Sequence, residues 1–152
     1  PKIARLFGIM SSAKNSALKY LSFRSRSIKE VRDYLIRKKF APEEIATAID
    51  DLIELNFLND EKFAEEWVEI HVRAKPCGPI KLKFELQQKG IASEIIQKTL
   101  KLDYQNLVQK AAQRYSRRLI GLDPQKQKQR LAGFLARHGF SWDQIKPVLD
   151  KY

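Results

Sequence analysis

The apolar residues of this chain return three times in one spacing. Val31, Leu35, Phe40, Ile45 and Ile49 are followed 51 positions later by Leu82, Leu86, Ile91, Ile96 and Leu100. A further 49 positions on come Leu131, Leu135, Phe140, Ile145 and Leu149. Only 43% of the residues are hydrophobic, so fifteen apolar matches in fifteen equivalent positions are not coincidence. The steps of four, five, five and four place the first two residues of each set on one helical face. A turn follows, and the last two lie on one face of a second helix. A repeat of this length identifies stacked supersecondary units, each too small to bury its own apolar face alone.

Turn residues and helix starts agree with that register. Gly90 and Gly139 stand at equivalent positions after the first helix of the pair, where a left-handed residue ends a helix at little steric cost. Lys39 holds that position in the first repeat, so its turn is either mildly strained or differently shaped. Ser27 with Glu30 and Ser141 with Gln144 fit capping boxes. Pro42, Pro79 and Pro124 suit first turns, and Asp60 and Asp123 suit caps. A further helix precedes each pair, marked by Ala17, Leu18 and Leu21, by Phe63, Ala64 and Trp67, and by Leu107, Val108 and Ala111. No alternating strand pattern is present. The fold expected is all-α, three tandem three-helix repeats forming an elongated curved array. The helices fall over 14–24, 27–38, 42–55, 60–74, 79–89, 92–101, 105–119, 124–137 and 141–151. The repeats span 14–58, 59–102 and 103–152, after a partly disordered N-terminal extension over 1–13.

Charge is segregated along the chain. Residues 1–40 carry a net of +9, residues 41–72 a net of −9 and residues 73–152 a net of +11. The overall net of +11 points to a polyanion or an acidic protein surface as partner. One cysteine, Cys77, excludes an internal disulfide framework, and with two histidines it excludes a Cys/His zinc cluster. Cys77 lacks the neighbouring base of a nucleophile. No phosphate-cradling glycine motif is present. The expectation is a cytoplasmic, monomeric, non-enzymatic protein with no cofactor, no metal and no membrane contact.

The paired helices resemble a helix-turn-helix, in which the second helix reads the major groove. Here the second helix of the first pair carries Glu43, Glu44, Asp50, Asp51 and Glu54 with no cation, so phosphate would repel it. Sequence-specific operator reading is therefore disfavoured. The candidate contact to nucleic acid or filament is instead a basic edge following a phosphate backbone. It comprises Arg24, Arg26, Lys29 and Arg32 in the first repeat and Arg73, Lys75, Lys81 and Lys83 in the second. Arg117, Arg118, Lys128 and Arg130 complete it in the third. Glu65, Glu66 and Glu69 form the candidate acidic face for a protein partner. Trp67, Tyr20, Tyr115, Phe40 and Phe140 fall on the apolar stripe and are expected in the core.

Several stretches resemble the RecX family. They are Ala17-Leu18-Lys19-Tyr20-Leu21-Ser22-Phe23-Arg24-Ser25-Arg26-Ser27 with Glu30-Val31, and Leu52 through Ala64. Gly78-Pro79 with Lys81 and Glu85 through Ile91 follow in the family's order. The family pattern commonly has Arg where this chain has Lys81, and Pro76-Cys77 departs from its usual basic, glycine-containing turn. The resemblance implies a tandem three-helix repeat protein that binds the RecA recombinase or its DNA filament. It implies inhibition of ATP hydrolysis, strand exchange and filament growth without catalysis, and hence a role in recombination, DNA repair and the SOS response. Direct binding of single- or double-stranded DNA, independent of RecA, is the rival reading.

Overall fold

Every helix expected from the apolar register forms. The computed structural model describes residues 12–152 of the 152-residue chain. Among them are nine α-helices: α1 (Ser12–Leu21), α2 (Ile28–Arg37), α3 (Pro42–Glu54), α4 (Asp60–Ala74), α5 (Pro79–Gln88), α6 (Ser93–Thr99), α7 (Tyr104–Ser116), α8 (Pro124–Arg137) and α9 (Trp142–Leu149). A short 3₁₀ turn, Arg117–Leu119, follows α7. No strand occurs among the described residues. Ser12 and Ala13 open α1, and the rest of the expected extension over 1–13 lies outside the described residues. The first helix ends three residues earlier than expected because the Ser22 hydroxyl donates back to the Lys19 carbonyl at 2.6 Å, turning the chain there.

Twelve of the fifteen register residues are buried; Phe40, Leu100 and Leu149 are half-buried. Leu35, Leu82, Leu86 and Leu135 are wholly enclosed, and each such side chain contributes roughly 1.5–3 kcal/mol through loss of apolar surface to water.

The described chain divides into two compact units. The first runs to Phe63 and takes in the turn Lys89–Ile91; the second comprises Ala64–Gln88 and Ala92–Tyr152. The first unit is centred on Ala17, Val31, Leu35, Ile49 and Leu52. A cluster of the second is centred on Val108, Ala112, Leu131, Leu135 and Ile145.

The helix starts follow their signals, with one exception. Ser27 Oγ accepts from Glu30 N at 3.2 Å while Glu30 accepts from Ser27 N at 3.1 Å, completing the capping box. Asp123 accepts from the backbone of Gln125 and Lys126 at the head of α8. Asp60, expected to cap α4, does not: it is the first residue of that helix and accepts from Ile28 N at 2.9 Å, at the start of α2. Asn59 caps α4 instead, through Lys62 N at 3.1 Å. One residue of register separates these two roles, and Asn and Asp are equally good caps.

Lys39, Gly90 and Gly139 share one turn conformation, with φ of +64°, +76° and +86°. The Lys39 turn is therefore strained rather than reshaped, since a Cβ in the left-handed region meets its own carbonyl. Lys39→Gly is expected to stabilise the protein by about 0.5–1 kcal/mol, the relief exceeding glycine's entropic cost. A urea midpoint that fails to rise would contradict it.

The register also aligns a joint in each unit. Ser27 Oγ donates to the Lys89 carbonyl at 2.7 Å in the first. In the second, Gly78 N donates to the His138 carbonyl at 2.7 Å and Ile80 N to Gly139 at 3.0 Å. Ser27 and Gly78 are 51 positions apart, Lys89 and His138 are 49, so the same points of the repeat meet. An aromatic clasp recurs likewise. Tyr20 stacks on Tyr34 at 4.0 Å and Tyr115 on Phe134 at 3.9 Å. In the middle repeat Trp67 Nε1 donates to Glu85, the residue matching Tyr34 and Phe134, at 3.3 Å.

Candidate functional site

The cations of the first unit are drawn inward by one glutamate. Glu30, fixed by the capping box, receives both Nη atoms of Arg24 at 2.7 and 3.4 Å and Lys89 Nζ at 2.8 Å. Burial alone would raise its pKa, but the hydrogen bonds from Arg24, Lys89 and Ser27 outweigh it and hold the carboxyl down at about 2. Its folded pKa lies below the ordinary 4.5, so its contribution to stability is full above pH 4.5 and is lost as pH falls towards 2. Glu30→Gln is expected to cost about 1–2 kcal/mol at neutral pH and to flatten the stability profile through that acid window. Urea unfolding at stepped pH measures both; an unchanged acid limb would contradict the assignment.

The other expected cations of this unit, Arg26, Lys29 and Arg32, each have a partner of their own. Arg26 lies over the Tyr20 ring at 4.0 Å. Lys29 pairs with Asp33 at 2.8 Å, and its stem occupies the space a side chain at Gly90 would need. Arg32 is exposed and acts on Asp60, whose carboxyl burial pushes up against the pull of Ile28 N and Arg32.

The second unit places its cations differently. The end of α4, the loop through Cys77 and the face of α7 enclose a cleft of about 420 Å³. Arg73, Lys75, Lys110 and Arg114 line it, with Pro76, Cys77 and Leu107 as apolar wall. A second cleft of about 250 Å³ shares Lys75 and Arg114 and adds Arg118, Tyr115, Phe134 and His138. A third, of about 400 Å³, shares Tyr115 and adds Arg130 and Arg137 from α8. No carboxylate lines any of the three. Arg73 is paired with Glu69 at 2.7 Å; among the described residues the remaining six cations have no carboxylate partner.

Of the twelve expected cations, Arg73, Lys75, Arg118 and Arg130 thus come to these clefts. Lys83, Arg117 and Lys128 are exposed outside them, and Lys81 is half-buried with its backbone against Gly139. The sequence reading missed Lys110, Arg114 and Arg137. The spacing of Lys110 and Arg114, beside Leu107 and Ala111 on α7, was the available signal for two of them.

Adjoining the first cleft through Val72 and Arg73, Glu65 and Glu69 rim an apolar groove of about 390 Å³ floored by Val68, Val72 and Leu102. Glu66 lies outside it, half-buried. Among the described residues no group of three or more acidic, histidine or cysteine side chains is placed to hold a metal ion. No helix among them is long and apolar enough to cross a membrane.

His71 and His138 each face a carbonyl four residues back, Trp67 and Phe134, at 2.7 Å. A carbonyl only accepts, so Nδ1 carries the proton in both. Burial, aided by Glu85, pushes the Cys77 thiol up to about 11, leaving it protonated and inert although it lines a cleft. The core assignment of the aromatics holds for Phe140, whereas Trp67, Tyr20, Tyr115 and Phe40 are half-buried.

Comparison with known proteins covers nearly the whole chain. Family profiles described as the first, second and third three-helix domains of RecX match residues 13–52, 59–100 and 103–149. A protein named regulatory protein RecX from Streptococcus gordonii is 38% identical over 138 residues, 90% of this chain and 54% of its own length. The chain therefore spans about half the length of the streptococcal relatives it matches. A protein of the same name from Chlorobium limicola is 35% identical over 89% of this chain and 86% of its own length. The crystal structure of RecX from Lactobacillus salivarius superposes with a TM-score of 0.81 at 29% identity, covering 92% of this chain and 96% of that one. Matched in all three of its helical domains and in its fold, the chain belongs to the RecX family.

Proposed function

We propose that the protein is a non-catalytic regulator that binds the RecA recombinase or its DNA filament and inhibits ATP hydrolysis, strand exchange and filament growth. The observation that carries this reading is the match to all three RecX domains in order, together with relatives named regulatory proteins. The clefts of the second unit support it physically. Unpaired guanidinium and ammonium groups in carboxylate-free concavities are suited to phosphate or to an acidic protein surface. Glu65 and Glu69, flanking an apolar groove that shares Val72 and Arg73 with the first cleft, are suited to a basic protein surface. One element thereby serves a filament made of both protein and nucleic acid.

The test is RecA ATP hydrolysis and strand exchange with the protein present below the RecA concentration. Inhibition of both is expected. Full activity in both, with the protein folded, would remove the reading.

A further inference from the structure

We propose that the three clefts of the second unit form one track for a single strand of nucleic acid, with a base stacked on the ring pair that begins at Tyr115. This rests on the reading of the clefts as the polyanion contact and goes beyond it in naming the strandedness and the stacking partner. Neighbouring clefts share lining residues. Lys75 and Arg114 belong to the first and second, Tyr115 to the second and third. Cations line all three, from Lys110 to Arg137, so a phosphate chain entering one is led to the next.

The rings set this track apart from a general basic surface. Tyr115 and Phe134 are parallel within 3° at 3.9 Å, and the His138 ring, tilted by 40°, lies 4.2 Å from Phe134. Tyr115 and His138 line the middle cleft beside Lys75, Arg114 and Arg118. The His138 ring is fixed by its bond to the Phe134 carbonyl. Stacked aromatic rings among cations are the arrangement by which proteins hold single strands. The cations follow the backbone while unpaired bases lie on ring faces. In a duplex the bases are already stacked and paired, so only the phosphates would gain.

The test uses the unaltered chain without RecA. Fluorescence anisotropy compares labelled oligo(dT), an abasic deoxyribose-phosphate oligomer of equal length, and a duplex of equal phosphate number. Oligo(dT) is expected to bind about tenfold more tightly than the abasic oligomer, and more tightly than the duplex. Equal affinity for oligo(dT) and the abasic oligomer overturns the stacking, while leaving the clefts a polyanion site. Tighter duplex binding also overturns it. Absence of binding to all three removes the polyanion reading as well. Tyr115→Leu is expected to bring oligo(dT) down to the abasic level without changing abasic binding. Equal loss for both ligands would make the ring merely structural. The ligand comparison decides the matter if that variant fails to fold.

Discussion

Gly78→Ala is expected to destabilise the protein by about 3–4 kcal/mol, above the usual range for an overpacked site. A methyl group there would lie 2.3 Å from the carbonyl carbon and oxygen of Gly139 and 2.4 Å from Phe140 N. These are backbone atoms and cannot rotate aside. They are also held: Gly139 N donates to Ala136 and Phe140 N to Leu135, closing the end of α8. Relief would have to come from parting the joint, with loss of the Gly78–His138 and Ile80–Gly139 hydrogen bonds, each worth about 1 kcal/mol. Urea unfolding followed by helical circular dichroism reads the result. The matched control is Ser27→Ala at the same register position. It forfeits a cap and one bond to Lys89 and is expected to cost only about 1–2 kcal/mol. A Gly78→Ala loss no larger than the Ser27→Ala loss would mean that the second joint is not close-packed.

Reversing charge in the clefts should have the largest effect on binding. Lys75→Glu, Lys110→Glu and Arg114→Glu together are expected to weaken binding to nucleic acid or to the RecA–DNA filament by two to three orders of magnitude. They should also lower the salt slope by about two to three, one phosphate contact for each residue. All three side chains are exposed and have no carboxylate partner among the described residues, so stability should be little affected. The control is Lys83→Glu, Arg117→Glu and Lys128→Glu, the same change in net charge on exposed residues outside the clefts. It acts only through screened long-range attraction and should cost about tenfold or less. Equal losses from both triples would show that net charge, not the clefts, governs association.

The apolar register was legible in the sequence because burial imposes it at every repeat, and a spacing of side chains survives without knowledge of long-range contacts. The shared turn was legible for the same reason, but whether Lys39 would strain it or reshape it was not, and its φ of +64° decides that. Charge was less so. Arg24 and Lys29 look like free cations in the sequence, yet one is bound to Glu30 and the other to Asp33. The Glu30 cluster depends on Lys89, 59 residues away, which no local pattern encodes. Asp60 was misread for a related reason. Its carboxylate serves α2 rather than its own helix, through a contact 32 residues distant. The clefts were only partly legible: Arg73, Lys75, Arg118 and Arg130 stood out as cations, but their convergence with Lys110 and Arg114 is a product of tertiary packing.

The two joints meet at matching points of the register but are made differently. One seats a serine hydroxyl; the other seats a backbone with no room for any side chain. Copying residues of the first repeat into the second would therefore set Ser27's counterpart against the Gly139 carbonyl and prevent seating. The modules share a register yet are not interchangeable in order, since each joint accepts only the residue that its own neighbour leaves room for.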